Sequence, residues 1–158
     1  MSEARTERIF EKLVEINLND ENLIVEYQTS NFEVVKSLLK GASKTNKGGI
    51  GKPEHIIQHK LIPDLLIITE GKKDNLKHES DSLNYPVEYA VDGVIHYSSF
   101  VSKEYDVISI AFSGDKESNL KITYFFQPKN GKIEKIETNK LLTINDLIQN
   151  YNKSEYKL

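Results

Sequence analysis

The run YDVISIAFSG, residues 105–114, shows no alternation of polar and apolar positions. Val, Ile, Ala and Phe fill both faces of any strand it forms, so the sheet that holds it must be covered on both sides. The preceding stretch, PVEYAVDGVIHYSSFVS (86–102), supplies one cover. It places Val87, Ala90, Val91, Val94, Ile95 and Val101 on one helical stripe, with Pro86 in the first turn. Two further β-rich runs, EHIIQH (54–59) and DLLIITEG (64–71), come earlier and are joined by KLIP. The fold class expected is α/β (α+β), a mixed central β-sheet flanked by helices.

The other segments fill out that plan. SEARTERIFEKLVEINL reads as a helix capped by Ser2, with Ile9, Leu13, Val14 and Ile16 at helical spacing. NLIVEYQ (22–28) reads as a strand. NFEVVKSLLK reads as a short helix capped by Asn31, which buries Phe32, Val35, Leu38 and Leu39 and ends at Gly41. LKITYFFQ and KIEKIET suit a hairpin about PKNGK, and TINDLIQNYN a last helix capped by Thr143.

A chain of 158 residues makes one domain with a sizeable core. It contains no cysteine, which removes disulfides, thiolate metal sites and thiol nucleophiles. The start, MSEARTERIF, is charged where a signal peptide needs an apolar run, and the longest strictly apolar run is Leu65 to Ile68. A cytoplasmic protein with no membrane partner is the expectation. The net charge of -3 argues against a wholesale basic nucleic-acid binder but allows a local basic face. Of 21 basic residues only Arg5 and Arg8 are arginine, so lysines would hold phosphates as point charges and guanine reading by bidentate arginine is scarce.

The stretch PEHIIQHKLIPDLLIITEGKK (53–73) carries Glu54, Asp64 and Glu70. If its two runs pair antiparallel about a turn at 60–63, positions 59 and 65 face each other, as do 57 and 67. Glu54 and Glu70 are then opposite, about 5 Å apart on one face. Alternation puts Lys72 on that face as well, while Asp64 lies roughly 20 Å away along the strand. Two carboxylates so close need a proton or a cation between them. Hard oxygen donors without Cys or His suit Mg²⁺, with Mn²⁺ as a substitute, and the carbonyl of Gly71 is a further donor. Acid pair, lysine and cation together fit phosphodiester hydrolysis. A solvated hairpin with a chance acid pair is the competing reading.

Several blocks carry a resemblance: SEARTE, LLKGASK, GIGKPEHII, PDLLIITEGKK, KHES and YAVDGVIHYSSFVSKEYDVISIAFSG, in this order from about Ser2 to Gly114. They resemble the N-terminal nuclease domain of bacterial restriction enzymes, the type I R subunit and single-chain enzymes fused to an N6-adenine methyltransferase. That domain belongs to the PD-(D/E)xK nuclease superfamily. The resemblance implies a restriction-endonuclease-like fold and cleavage of double-stranded DNA to 5′-phosphate and 3′-hydroxyl ends. It also implies methyltransferase, specificity or motor domains as partners in cis or trans, to which sequence choice is delegated. The chain is then one nuclease domain, alone or cut from a longer restriction–modification polypeptide. Carried over by motif, Glu54 replaces the aspartate after the proline, and Glu70 and Lys72 form E-x-K. Lys72 would position the attacking water and stabilise the phosphorane. Glu7, on the first helix, is the candidate assisting acid; its other reading is a rung of a Glu3/Glu7/Glu11 surface ladder. Two departures stand out: Glu for Asp at 54, and Gly71 where a small apolar residue or cysteine is more usual. A nuclease-like fold kept only for DNA binding or assembly is the alternative function.

KTNKGGIGKP has the look of a phosphate loop, but Pro53 stands where that motif needs Ser or Thr, and a strand follows where it needs a helix. Its lysines, Lys44, Lys47 and Lys52 nearest the acids, instead suit a DNA backbone, with a flexible solvated loop as the competing reading. His55 and His59 are roughly 13 Å apart on a strand, too far for one ion, and read as solvent-side residues. Asp92, His96 and Ser99 read as the polar side of an amphipathic helix, with Tyr89. KHES (77–80) suggests no chemistry of its own.

Overall fold

The computed structural model describes residues 3–16, 20–45 and 48–156. Six strands form one mixed sheet in sequence order, β1 to β6. They are β1 (Leu23–Glu26), β2 (His55–His59), β3 (Ile62–Lys72), β4 (Asp106–Ser113), β5 (Lys121–Gln127) and β6 (Glu134–Lys135). Among the described residues only β3 and β4 run parallel, over eight pairs from Leu65↔Asp106 to Lys72↔Ser113, and the crossover between them carries helix α3 (Ala90–Val101). Helices α1 (Glu3–Leu13), α2 (Glu33–Leu39) and α4 (Ile144–Asn152) complete the layers. Among the described residues no helix is long and apolar enough to cross a membrane.

The unalternating run at 105–114 does become a central strand covered on both faces. Ile108, Ile110 and Phe112 pack with Phe10 and Val14 beside α1 and with Leu147 and Ile148 of α4. Val107 and Ala111 point the other way, into the layer of Val91, Val94 and Val101 from α3 and Val35 and Leu39 from α2. Each fully buried side chain of this size stabilises by roughly 1.5–3 kcal/mol, so the two layers hold the sheet from both sides.

Several boundaries differ from the sequence expectation, each for a local reason. Ser2 lies outside the described residues, and α1 ends at Leu13 instead of running to 18. Phe32, not Asn31, is the N-cap of α2 and is 40% exposed; the backbone N–H of Asn31 donates to the Glu26 carboxylate instead. The turn between β2 and β3 is tighter than 60–63. His59 pairs with Ile62, not with residue 65, and the register slips between Ile57 and His59. Pro63 and Asp64 thereby enter the exposed start of β3, where a proline without an N–H disturbs no buried ladder. The helix expected from Pro86 begins only at Ala90, leaving Val87 exposed in the turn before it. The expected hairpin beyond PKNGK keeps just two paired residues, Glu134 and Lys135. Thr143 caps α4 in a reciprocal box, accepting from the Asp146 N–H at 3.1 Å while its own N–H donates to the Asp146 carboxylate at 2.9 Å.

Candidate functional site

Ile56 of β2 and Leu66 and Ile68 of β3 pack beneath α2 and α3. Side chains alternate, so Glu70 and Lys72 project toward the same helical layer where the apolar part of β3 ends. The pairs Ile57↔Ile67, Ile56↔Ile68 and His55↔Thr69 carry a register that, continued one step, would put Glu54 opposite Glu70. Glu54 donates its N–H to the Thr69 carbonyl at 2.9 Å and leaves the ladder there, one step short of a regular pair with Glu70. Both acids act on one group, the Tyr97 phenol of α3. Burial, the Glu70 charge and then the Glu54 charge push its pKa well up, against the Lys52 N–H that donates to it at 3.2 Å.

Glu70 is 1% exposed. The Lys44 ammonium is bonded to its Oε2, and the same ammonium lies 5.7 Å from the centre of the Tyr97 ring. Gly93 of α3 leaves space for the carboxylate: a Cβ there would come within 3.1 Å of Glu70 Cγ and 3.2 Å of its Oε2. Lys72 reaches the rim, donating to the Val87 carbonyl at 2.7 Å. Gly71 is pressed by Phe112, whose ring would lie 2.1 Å from an added Cβ, so no larger residue fits between the acid and the lysine. Carbonyls alternate along a strand. Thr69 points its carbonyl toward β2 and Lys72 points toward Gly114 on the β4 side. The Gly71 carbonyl therefore faces the β2 side, where Pro53 has no N–H to offer.

The other expected residues are placed differently. Glu7 lies on α1, which packs against the opposite face of the sheet, and its charge is felt by Tyr27 and His55. It is not brought to the face of Glu70. Lys44 does not stand out for phosphate but turns inward; Lys52 is exposed, and Lys47 lies outside the described residues. Asp64 sits at the far end of β3, where its charge acts on Tyr151 of α4.

His55 is not a solvent-side residue. It is fully buried, with Nδ1 2.6 Å from Thr69 Oγ1 and Nε2 2.7 Å from Glu11, and burial lowers its pKa. Asp92 is not on an exposed polar face either. At 1% exposure it accepts from the Ser80 N–H at 3.1 Å, the Tyr85 N–H at 2.9 Å and the Ser80 hydroxyl. His96 bonds to the Ala42 carbonyl at 2.9 Å, and Ser99 to the His96 carbonyl. The KHES block is a strap: His78 bridges the hydroxyls of Ser113 and Thr123, each at 2.7 Å, and Ser80 ties to Asp92. The segment whose Val87 carbonyl receives Lys72 is thus fixed to both sheet and helix.

No family model, curated protein or solved structure matches this chain. Among the described residues no three His or acidic side chains gather as a metal cage. Glu54, Glu70 and the Gly71 carbonyl are hard-oxygen donors, the kind Mg²⁺ takes while keeping several waters. The Lys44 contact shows that a positive charge fits against Glu70.

Proposed function

We propose that this chain is a divalent-metal-dependent endonuclease domain of the PD-(D/E)xK type, acting on double-stranded DNA in the cytoplasm as part of a restriction–modification system. The observation that carries the reading is a carboxylate buried at the end of β3 against the Lys44 ammonium, with a lysine two residues on along the same face; the β2–β3 register, continued one step, would add Glu54. Burying a carboxylate is unfavourable unless a cation compensates it. Glu54, Glu70 and the Gly71 carbonyl would hold Mg²⁺ or Mn²⁺, which when bound polarises a phosphoryl oxygen and acidifies a water.

Lys72 then has two tasks. Its ammonium orients the incoming water by hydrogen bonding, and it neutralises charge on the pentavalent phosphorus as the water oxygen bonds to it. The water gives up a proton to solvent, the bond from phosphorus to the 3′-oxygen breaks, and the departing oxygen takes a proton from solvent. Lys72 would have to leave the Val87 carbonyl to do this, so the strap sets where it rests between turnovers. The scarcity of arginine suits a domain whose DNA site is chosen by its partners.

The test is conversion of supercoiled plasmid to nicked or linear form with Mg²⁺ or Mn²⁺. Glu70→Ala and Lys72→Ala should each cut the rate by at least a hundredfold while leaving the fold intact by circular dichroism. Cleavage that survives both substitutions would refute the assignment. If the folded protein, supplied with its methyltransferase or motor partners, cuts no DNA, the assembly-module reading replaces it.

A further inference from the structure

We infer that Lys44 is a displaceable counter-cation of this site, a latch that occupies the Glu70 carboxylate until a divalent ion evicts it. The inference rests on the nuclease reading above and adds a control step to it. Glu70 is nearly inaccessible, whereas the Lys44 side chain keeps 19% of its surface in solvent. The ammonium therefore enters from the outside and has a route back.

The loop that carries Lys44 is anchored at both feet. Ala42 and Gly51 both bond back to the Leu39 carbonyl, at 3.0 and 2.8 Å, and His96 holds the Ala42 carbonyl. At the far foot the Lys52 N–H is fixed to Tyr97, and a Cβ on Gly51 would come within 2.8 Å of the Tyr97 ring and the Ala42 carbonyl. Lys44 lies between these anchors, so its side chain can swing without unfolding α2 or the hairpin. A divalent ion and an ammonium repel each other at the same carboxylate oxygen, and in a buried site solvent screens that repulsion little. Occupancy is then exclusive. Once released, Lys44 joins the exposed Lys52 on the rim, where its charge is available to a phosphate backbone.

Two readouts, neither of them cleavage, test the latch. The first is calorimetric titration of Mn²⁺ into wild type, Lys44→Met, Lys44→Gln and Lys44→Arg. Removing the ammonium should tighten Mn²⁺ binding tenfold or more, while Lys44→Arg stays close to wild type. The second is thermal unfolding in EDTA. Lys44→Met and Glu70→Gln should each lower the midpoint, and the double variant should lie well above the sum of the two losses. Unchanged or weaker Mn²⁺ binding in Lys44→Met and Lys44→Gln, or strict additivity in EDTA, overturns the latch and leaves the nuclease reading standing. Mn²⁺ binding to none of these proteins overturns that reading and the latch together.

Discussion

Gly71→Ala tests the packing that aims the two charged residues on either side of it. Ordinarily this change favours a strand, because glycine costs roughly 0.5–1 kcal/mol relative to alanine in such a position. Here the added Cβ would fall 2.1 Å from Phe112 Cε2, 2.3 Å from Cζ and 2.8 Å from Cδ2. Ordinary carbon contacts lie near 3.5 Å, so the ring would have to retreat by about 1.4 Å. It has little room to do so. Phe112 is fully buried and stacks on the equally buried Phe10 at 4.0 Å with an interplanar angle of 8°. The strain must pass to α1 or bend the end of β3, and overpacking of this kind costs about 1–3 kcal/mol.

The net expectation is destabilisation by about 2 kcal/mol in urea unfolding, opposite in sign to the propensity effect. Phe112→Leu should lose stability alone yet restore part of it in the Gly71→Ala background, because the smaller side chain vacates the contested space. On the proposed nuclease reading, cleavage by Gly71→Ala should fall even where the protein is folded, since Glu70 and Lys72 share the displaced backbone. A Gly71→Ala protein as stable as wild type or more so would refute the reasoning.

Stability should also depend on pH through His78. Burial, and then the charges of Lys121 and Lys135, lower its pKa to about 4 from an ordinary 6.5. The folded value lies below the unfolded one, so this contribution is complete above about pH 6.5 and is lost as pH falls toward 4, amounting to about 3 kcal/mol. Denaturation curves for wild type and His78→Gln should therefore converge across that window; parallel curves would contradict the buried bridge. Asp92→Ala should cost about 3 kcal/mol, because it removes the acceptor of the Ser80 and Tyr85 N–H groups. It should also raise hydrogen exchange through 78–89, and normal protection there would show that the strap is held by something else.

What could be read in the sequence follows the range of each interaction. The register through 55–57 and 67–69 was legible because apolar side chains on both faces make a one-residue slip costly. The hairpin tip was not, since exposed Pro63 and Asp64 constrain no face. The cap at Thr143 was legible because a capping box is complete within four residues. The true start of α3 was hidden, as Asp92 answers to Ser80 and Tyr85 and not to its own helical period. His55 had a usable signal: it shares the strand parity of Ile57, a core residue, which argues against a solvent-side position. Its partners Glu11 and Thr69 come from α1 and β3, so the reason for its burial is long-range. Lys44 carried no such signal, because a loop lysine reads as solvated whatever acid it reaches 26 residues away.

The Lys44–Glu70 contact also bears on why the strand ends in an acid at all. Position 70 pairs with Ala111 and faces the same layer as Leu66 and Ile68. An apolar side chain would extend that layer at no electrostatic cost, and replacing a buried ion pair by apolar residues of similar volume is often neutral or stabilising. Three neighbours are instead arranged around a charge: Gly93 gives it space, Lys44 compensates it, and the Tyr97 phenol lies in its field. A sheet that needed only to close would gain nothing from this set. The proposed cation site would need all of it, with the acid held rigidly by the strand and its counter-charge carried on a loop.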